Sequence, residues 1–289
     1  MIDLHTQHER CGHATGSLRD YVTTAVEMGV QVFGLSDHAP MFAADEDHAL
    51  PRVAMPKSEF PAYVAEALAL KEEFAGRIEI LLSTEADYLP GRTEPYAREL
   101  ARYPFDYVIG SVHMFEGADI FDTRRWEQVD DDELPAVKAR FFRTVADCAR
   151  TGLFQVMGHV DALKGNHPKL GPVPAPAAAD EMLRAIRDSG CVLEINTSGN
   201  TKQCGGWYPE TDVLERAHHF GVPVTFASDA HVPGRVCDQY ADVVRVLRGI
   251  GYRDWTFFRR GEPHTLPMEW AACGGRPVFF SHLTLPTIP

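Results

Sequence analysis

Short apolar, often β-branched runs recur along the chain, and stretches of helical period separate them. The runs fall at 2–6, 32–37, 78–84, 107–112, 154–159, 192–196 and 222–228. Most are bounded by Gly, Pro or polar residues and show little alternation, the pattern of strands buried on both faces of a parallel sheet. The helices between them have legible ends. Ser17 precedes Leu18, Tyr21, Val22, Ala25 and Val26, with Asp20 in the first turn and Gly29 as the stop. Over 134–151, Leu134, Val137, Phe141, Val145 and Cys148 share one stripe that ends at Gly152. Residues 177–189 close with Gly190, Thr211 caps a helix that stops at Gly221, and 239–247 supplies another. Such alternation predicts right-handed βαβ units and an α/β fold with a parallel sheet. Seven strand–helix units over this length suit a closed or nearly closed barrel better than two open sheets. No composition break marks a linker, so 1–267 reads as one domain. The Pro- and Gly-rich segment 165–176 reads as a loop after the fifth strand, and 268–289 as a C-terminal tail.

Composition narrows the class. A chain of 289 residues with 45% hydrophobic and 24% charged side chains is long enough for one sizeable core. The 41 acidic against 28 basic side chains give a formal charge of -13, which argues against nucleic-acid or anionic-membrane partners. An anionic small substrate stays compatible, because a bound cation reverses the local sign. Gly, Pro and charges interrupt every apolar segment, and the first residues lack a basic stretch followed by an apolar one. A cytoplasmic location is therefore expected. The six cysteines are scattered without a CxxC pair, which disfavours a disulfide framework or zinc knuckle.

The histidines carry more information, because several directly follow strand runs. The first run ends in His5-Thr6-Gln7, with His13 beyond it; the second ends in Asp37-His38. The third leads into Glu85 and Asp87, the fourth ends before His113, and the fifth reaches His159 with Asp161 nearby. The seventh is followed by Asp229 and His231. In parallel α/β folds the carboxyl ends of the strands form one rim, so these residues converge. Any one of them alone reads best as a cap or a surface histidine. Together they would require independent coincidences at most strand ends, and a metal cluster is the simpler reading. Imidazole with carboxylate suits Zn, Mn or Fe(II).

The fragments DLHTQHERCGHA, LSDHAP, TEADY, DYVIGSVHM, MGHVD, EINTSG and ASDAH occur in the order and spacing of the polymerase-and-histidinol-phosphatase (PHP) family. The chain resembles its histidinol-phosphate phosphatase branch over 2–267. The resemblance implies a distorted (β/α)7 barrel with up to three divalent transition metals. It implies that His5, Glu85 and Asp229 serve a first metal, with Glu85 bridging to a second that His113 and His159 also bind. His13, His38 and His231 would hold a third. Glu85, Asp229 and His231 are the catalytic candidates it implies. The implied reaction is hydrolysis of L-histidinol phosphate by a metal-bridging hydroxide, a step of histidine biosynthesis. Where the family pattern has a second histidine, this chain has Gln7, a neutral and weaker donor. His8 is its neighbour, but strand alternation points it the other way. Lys164 and Arg235 are candidates for the substrate phosphate, with a solvated loop charge as the rival reading for each. Asp161 is a candidate for orienting a ligand histidine, with a loop cap as its rival; Asp37 and Asp87 are weaker candidates for the same task. Other readings stay open: a PHP enzyme acting on a nucleotide or other small phosphate, or a weakened site because of Gln7. An amidohydrolase-type barrel is disfavoured, since no lysine lies on these strands.

Overall fold

The computed structural model describes residues 1–268, so the tail expected at 268–289 lies, apart from Met268, outside the described residues. In chain order the strands are β1 (Ile2–Asp3), β2 (Val32–Leu35), β3 (Glu79–Leu82), β4 (Glu85–Asp87), β5 (Ile109–Ser111), β6 (Met114–Phe115) and β7 (Ala118–Asp119). They continue with β8 (Val156–Met157), β9 (Val192–Asn196), β10 (Val224–Ala227), β11 (Asp254–Arg259) and β12 (Glu262–Pro267). The helices are α1 (Leu18–Glu27), α2 (Phe60–Glu73), α3 (Thr93–Leu100), α4 (Thr123–Trp126), α5 (Leu134–Arg150), α6 (Pro176–Asp188), α7 (Thr211–His219) and α8 (Tyr240–Ile250).

Parallel strands form two sheets, β1-β2-β3 and β10-β9-β8-β5-β4. At one seam Leu4 N–H donates to the Phe226 carbonyl (3.0 Å) and Asp229 N–H to the His5 carbonyl (2.8 Å), while Thr6 bridges Ala230. At the other, His38 bridges Glu85, and Ala39 N–H donates to the Glu85 carbonyl (2.7 Å). Among the described residues no single sheet closes on itself, so in place of the closed barrel expected from the sequence there are two parallel sheets that touch at two seams. The run expected over 78–84 accounts for one break. It leaves the first sheet after Leu82 and resumes at Glu85 in the second. Side chains satisfy the backbone between: the Tyr63 hydroxyl lies 2.8 Å from the Leu35 carbonyl and 2.7 Å from that of Ser83, and Thr84 Oγ1 donates to the Asp37 carbonyl.

The core lies between the strands and the surrounding helices. Ser17 and Asp20 form a capping box on α1, which buries Leu18, Tyr21, Val22 and Ala25. Helix α7 begins at Thr211 with Glu210 in the cap position, one residue earlier than expected, and its first turn receives no side-chain cap. Helices α2 and α3 and the antiparallel β11–β12 hairpin were not anticipated. In α2 the apolar residues spread around the helix rather than forming one stripe. The hairpin buries Trp255, Phe257 and Phe258 from one strand, while most of its second strand is exposed. Gly34 is required by packing: a Cβ there would lie on the Tyr107 hydroxyl, which crosses the interior to donate to the Leu4 carbonyl.

Candidate metal centre

Strand ends deliver the candidate residues to one rim. His5 and Gln7 follow β1, His38 follows β2, and Glu85 opens β4. His113 stands just past β5, His159 just past β8, and Asp229 and His231 just past β10. Two of these positions are left-handed without being glycine, His159 (φ 21°) and Asp229 (φ 47°). That conformation costs on the order of 1–2 kcal/mol per residue, and it turns both side chains inward where the strand would have continued.

Glu85 is the hub, at 2% exposure. Around its Oε2 lie Gln7 Nε2 (2.7 Å), His5 Nε2 (3.1 Å) and His38 Nδ1 (3.2 Å). Its Oε1 accepts from the Ser111 hydroxyl (2.6 Å), with His159 Nε2 at 2.9 Å and His113 Nε2 at 3.5 Å. The imidazoles form an arc. Ring centroids are 4.9 Å apart for His231 and His13, 5.3 Å for His13 and His38, 5.2 Å for His38 and His113, and 4.9 Å for His113 and His159. Asp229 Oδ1 lies 3.7 Å from both His5 Nε2 and His231 Nδ1.

Partners behind the ring fix these side chains. Glu194, fully buried on β9, meets His5 Nδ1 at 2.6 Å and accepts from the His159 backbone N–H at 2.7 Å. Asp87 meets His113 Nδ1 at 2.7 Å. Asn196 and Ser198 donate to Asp229 Oδ2. Gly158 keeps the approach open, since a Cβ there would meet Ser111 Oγ at 2.3 Å.

Burial alone would raise the Glu85 pKa, but His38, His5, His113 and the His159 hydrogen bond hold it well below the ordinary range. Against the same desolvation, His5 and His231 bring Asp229 down to about 2. Burial pushes His38 down to about 3, so its ring is neutral with a lone pair available. For His113, burial is outweighed by Asp87 and Glu85, which raise it to about 9. Ionised carboxylates ringed by imidazoles are a donor set for divalent cations. Two observations test the fit. Donor atoms of His38, Glu85 and His113 all lie within 4.8 Å of one another. Asp229 Oδ1 is buried with no hydrogen-bond partner, an acceptor that a cation would satisfy. The residues fit.

The remaining candidates differ in where the structure places them. Lys164 is buried and spends its ammonium on the Trp207 carbonyl (2.7 Å), Asp161 Oδ2 (2.9 Å) and Glu210 Oε1 (2.8 Å). Asp161 Oδ2 also accepts from Glu210 N–H, and its contacts brace this loop instead of a ligand histidine. Arg235 pairs with Asp238 on the rim. His8 points away from the arc, edge-on to the Tyr21 ring at 4.6 Å, with Asp37 Oδ2 4.0 Å from its Nδ1. Gln7 turns its amide nitrogen toward the cluster, 2.9 Å from His5 Nε2. Glu194, Asn196, Ser111 and Ser198 were not identified from sequence. The available signal was a carboxylate and an amide inside the otherwise apolar run of β9.

The family model described as PHP domain matches residues 3–198. A probable histidinol-phosphatase of Deinococcus radiodurans is 35% identical over 267 residues, covering 90% of this chain and 97% of that protein. The histidinol-phosphatase of Bacillus subtilis is 28% identical, covering 81% and 94%. Among solved structures, a histidinol phosphate phosphatase from Lactococcus lactis complexed with zinc, L-histidinol and phosphate aligns with a TM-score of 0.76 at 20% identity. That alignment covers 91% of this chain and 98% of that one, a likeness of fold.

Proposed function

Because the chain belongs to the PHP domain family, we propose that it is a metal-dependent phosphomonoesterase that hydrolyses L-histidinol phosphate to L-histidinol and phosphate. The observation that carries this reading is the Glu85 hub, a buried carboxylate with imidazoles of four strand ends around its two oxygens. The names of the Deinococcus and Bacillus relatives support the substrate. The ligands bound in the Lactococcus protein support both the substrate and a zinc-type ion. Contacts at both seams support reading the two sheets as a distorted (β/α)7 barrel, with 1–267 as one domain.

In this reading His5, Glu85 and Asp229 form a first site, Glu85, His113 and His159 a second, and His13, His38 and His231 a third. Divalent ions of the Zn, Mn or Fe kind supply Lewis-acid charge there, which neutralises phosphate oxygens and lowers the pKa of water. The chain's own groups do the rest. Glu85 and Asp229, held ionised, fix the positions that a dianionic phosphate could not approach without compensating charge. Asp229 Oδ1, buried with no hydrogen-bond partner, would hold a cation and through it position the attacking water. His231, one-third exposed on the rim, faces the incoming substrate. Of the two cations offered for the phosphate, Arg235 keeps that role, since its side chain, paired with Asp238, is partly exposed. The buried Lys164 braces the segment around Trp207 and Glu210.

The test is phosphate release by the zinc-reconstituted protein across L-histidinol phosphate, nucleoside monophosphates and an aryl phosphate. Histidinol phosphate is expected to give the highest kcat/KM. A wide preference for a nucleotide would move the assignment to another PHP phosphoesterase.

A further inference from the structure

The arrangement of Gln7 bears on how many ions the site holds, a question that rests on the metal-dependent reading of the cluster. The Gln7 carboxamide is buried and its two ends are told apart by their neighbours. Its Oε1 accepts from the His38 backbone N–H at 3.1 Å. Its Nε2 therefore faces inward, donating to Glu85 Oε2 at 2.7 Å and lying 2.9 Å from His5 Nε2. Turning the amide over would set its oxygen against the Glu85 carboxylate and its NH2 group against the His38 N–H, unfavourable at both ends. The nitrogen that faces the cluster carries protons and has no lone pair to give a metal. Glu194 meets the other nitrogen of His5 at 2.6 Å, which fixes the ring with its Nε2 against both the Gln7 amide and Glu85 Oε2. The NH2 group thus donates to Glu85 Oε2 and lies against His5 Nε2, filling the space between two groups that a first metal would need.

We propose that the Gln7 carboxamide stands in for the first metal ion, so that the working enzyme holds its ions only in the second and third sites. The amide links His5 to Glu85 as a cation would, but without net charge. Glu85 Oε1, His113 and His159 keep their geometry on one side. His13, His38 and His231 keep theirs on the other, with Asp229 Oδ1 open toward His231. Gln7 is in this sense a positioning residue that replaces a ligand position by a hydrogen-bond bridge.

The experiment counts zinc by elemental analysis in the full-length protein and two variants, after loading with excess zinc and dialysis, with thermal unfolding to verify folding. Wild type should retain about two ions per chain, and Gln7→His, which restores an imidazole donor, should retain one more than wild type. Gln7→Ala removes the bridge without adding a donor. It should admit the extra ion through His5, Glu85 and Asp229, but with affinity lower than Gln7→His by about tenfold or more. Zinc-dependent phosphate release with the same ion count in all three folded proteins would overturn the stand-in role while leaving the phosphatase reading intact. So would a wild-type crystal structure with an ion at coordination distance from Gln7 Oε1. If none of the three retains zinc or releases phosphate, the metal-dependent reading fails and this inference falls with it.

Discussion

The ring of histidines has two unlike halves. Around Glu85 the imidazoles are buried, or half-buried at His113, and two are held from behind by carboxylates, His5 by Glu194 and His113 by Asp87. On the outer side His13 is exposed and His231 one-third exposed, and their Nδ1 atoms lie closest to backbone carbonyls two residues away, Cys11 (3.5 Å) and Asp229 (2.8 Å), with Asp229 Oδ1 farther off at 3.7 Å from His231. A buried carboxylate behind an imidazole fixes its tautomer and raises its basicity; a local carbonyl fixes little more than a rotamer. The inner half is therefore preorganised before any ion arrives, and the outer half is adjustable. The ion on the inner side should be tightly held and structural to the site, whereas the outer one should exchange.

The largest effect is expected at the hub. Glu85→Gln keeps the volume but removes the negative charge that faces the inner imidazoles. kcat should fall by about 10³-fold or more, with loss of bound metal seen by elemental analysis. Near-normal turnover and occupancy in this variant would reduce Glu85 to a packing residue and erase the distinction between the halves. Next comes the carboxylate behind the inner half. Through the His159 backbone N–H that Glu194 holds, Glu194→Gln should weaken metal binding by about 10–100-fold, read by competition with a chromophoric chelator, with KM for substrate little changed. If Glu194→Gln altered stability alone, the anchoring role would be wrong.

The outer half gives smaller numbers. His231→Ala should lower affinity for the weakest-bound ion by about tenfold and raise KM more than it lowers kcat, leaving the inner ion in place. Loss of every ion in this variant would mean that the halves are not independent. Smallest of all for activity is His8→Ala. His8 is buried against Tyr21 and turned from the arc, so kcat should stay within about twofold while the chain loses about 1–3 kcal/mol of stability in denaturant unfolding.

How far these features were legible in sequence depended on what each demanded of the chain. Ligand types after strand runs showed plainly, because parallel strands place all their ends on one rim. His5, His13, His38, Glu85, His113, His159, Asp229 and His231 accordingly converge. Helices α1, α5 and α6 were visible from their single apolar stripes and stop glycines, and α2 was not, because its apolar residues wrap around it. The break between β3 and β4 was hidden because 78–84 reads as one run; the crossing depends on distant partners such as Tyr63 and Asp106. Glu194 escaped for the opposite reason. Its run was read as a strand whose single charge had no local partner, and its partner lies 189 residues away at His5. The burial of Lys164 could not be read because loop position says nothing of direction, and its acceptors come largely from the separate segment around Trp207 and Glu210.

The central claim is that the Glu85-centred cluster works through bound divalent ions on a phosphate monoester. It is tested most directly by following phosphate release from L-histidinol phosphate before chelation, after removal of metal with a strong chelator, and after zinc is returned. Activity should vanish with the metal and recover on its return, while Glu85→Gln recovers nothing. Undiminished turnover by protein shown to be metal-free would contradict the account.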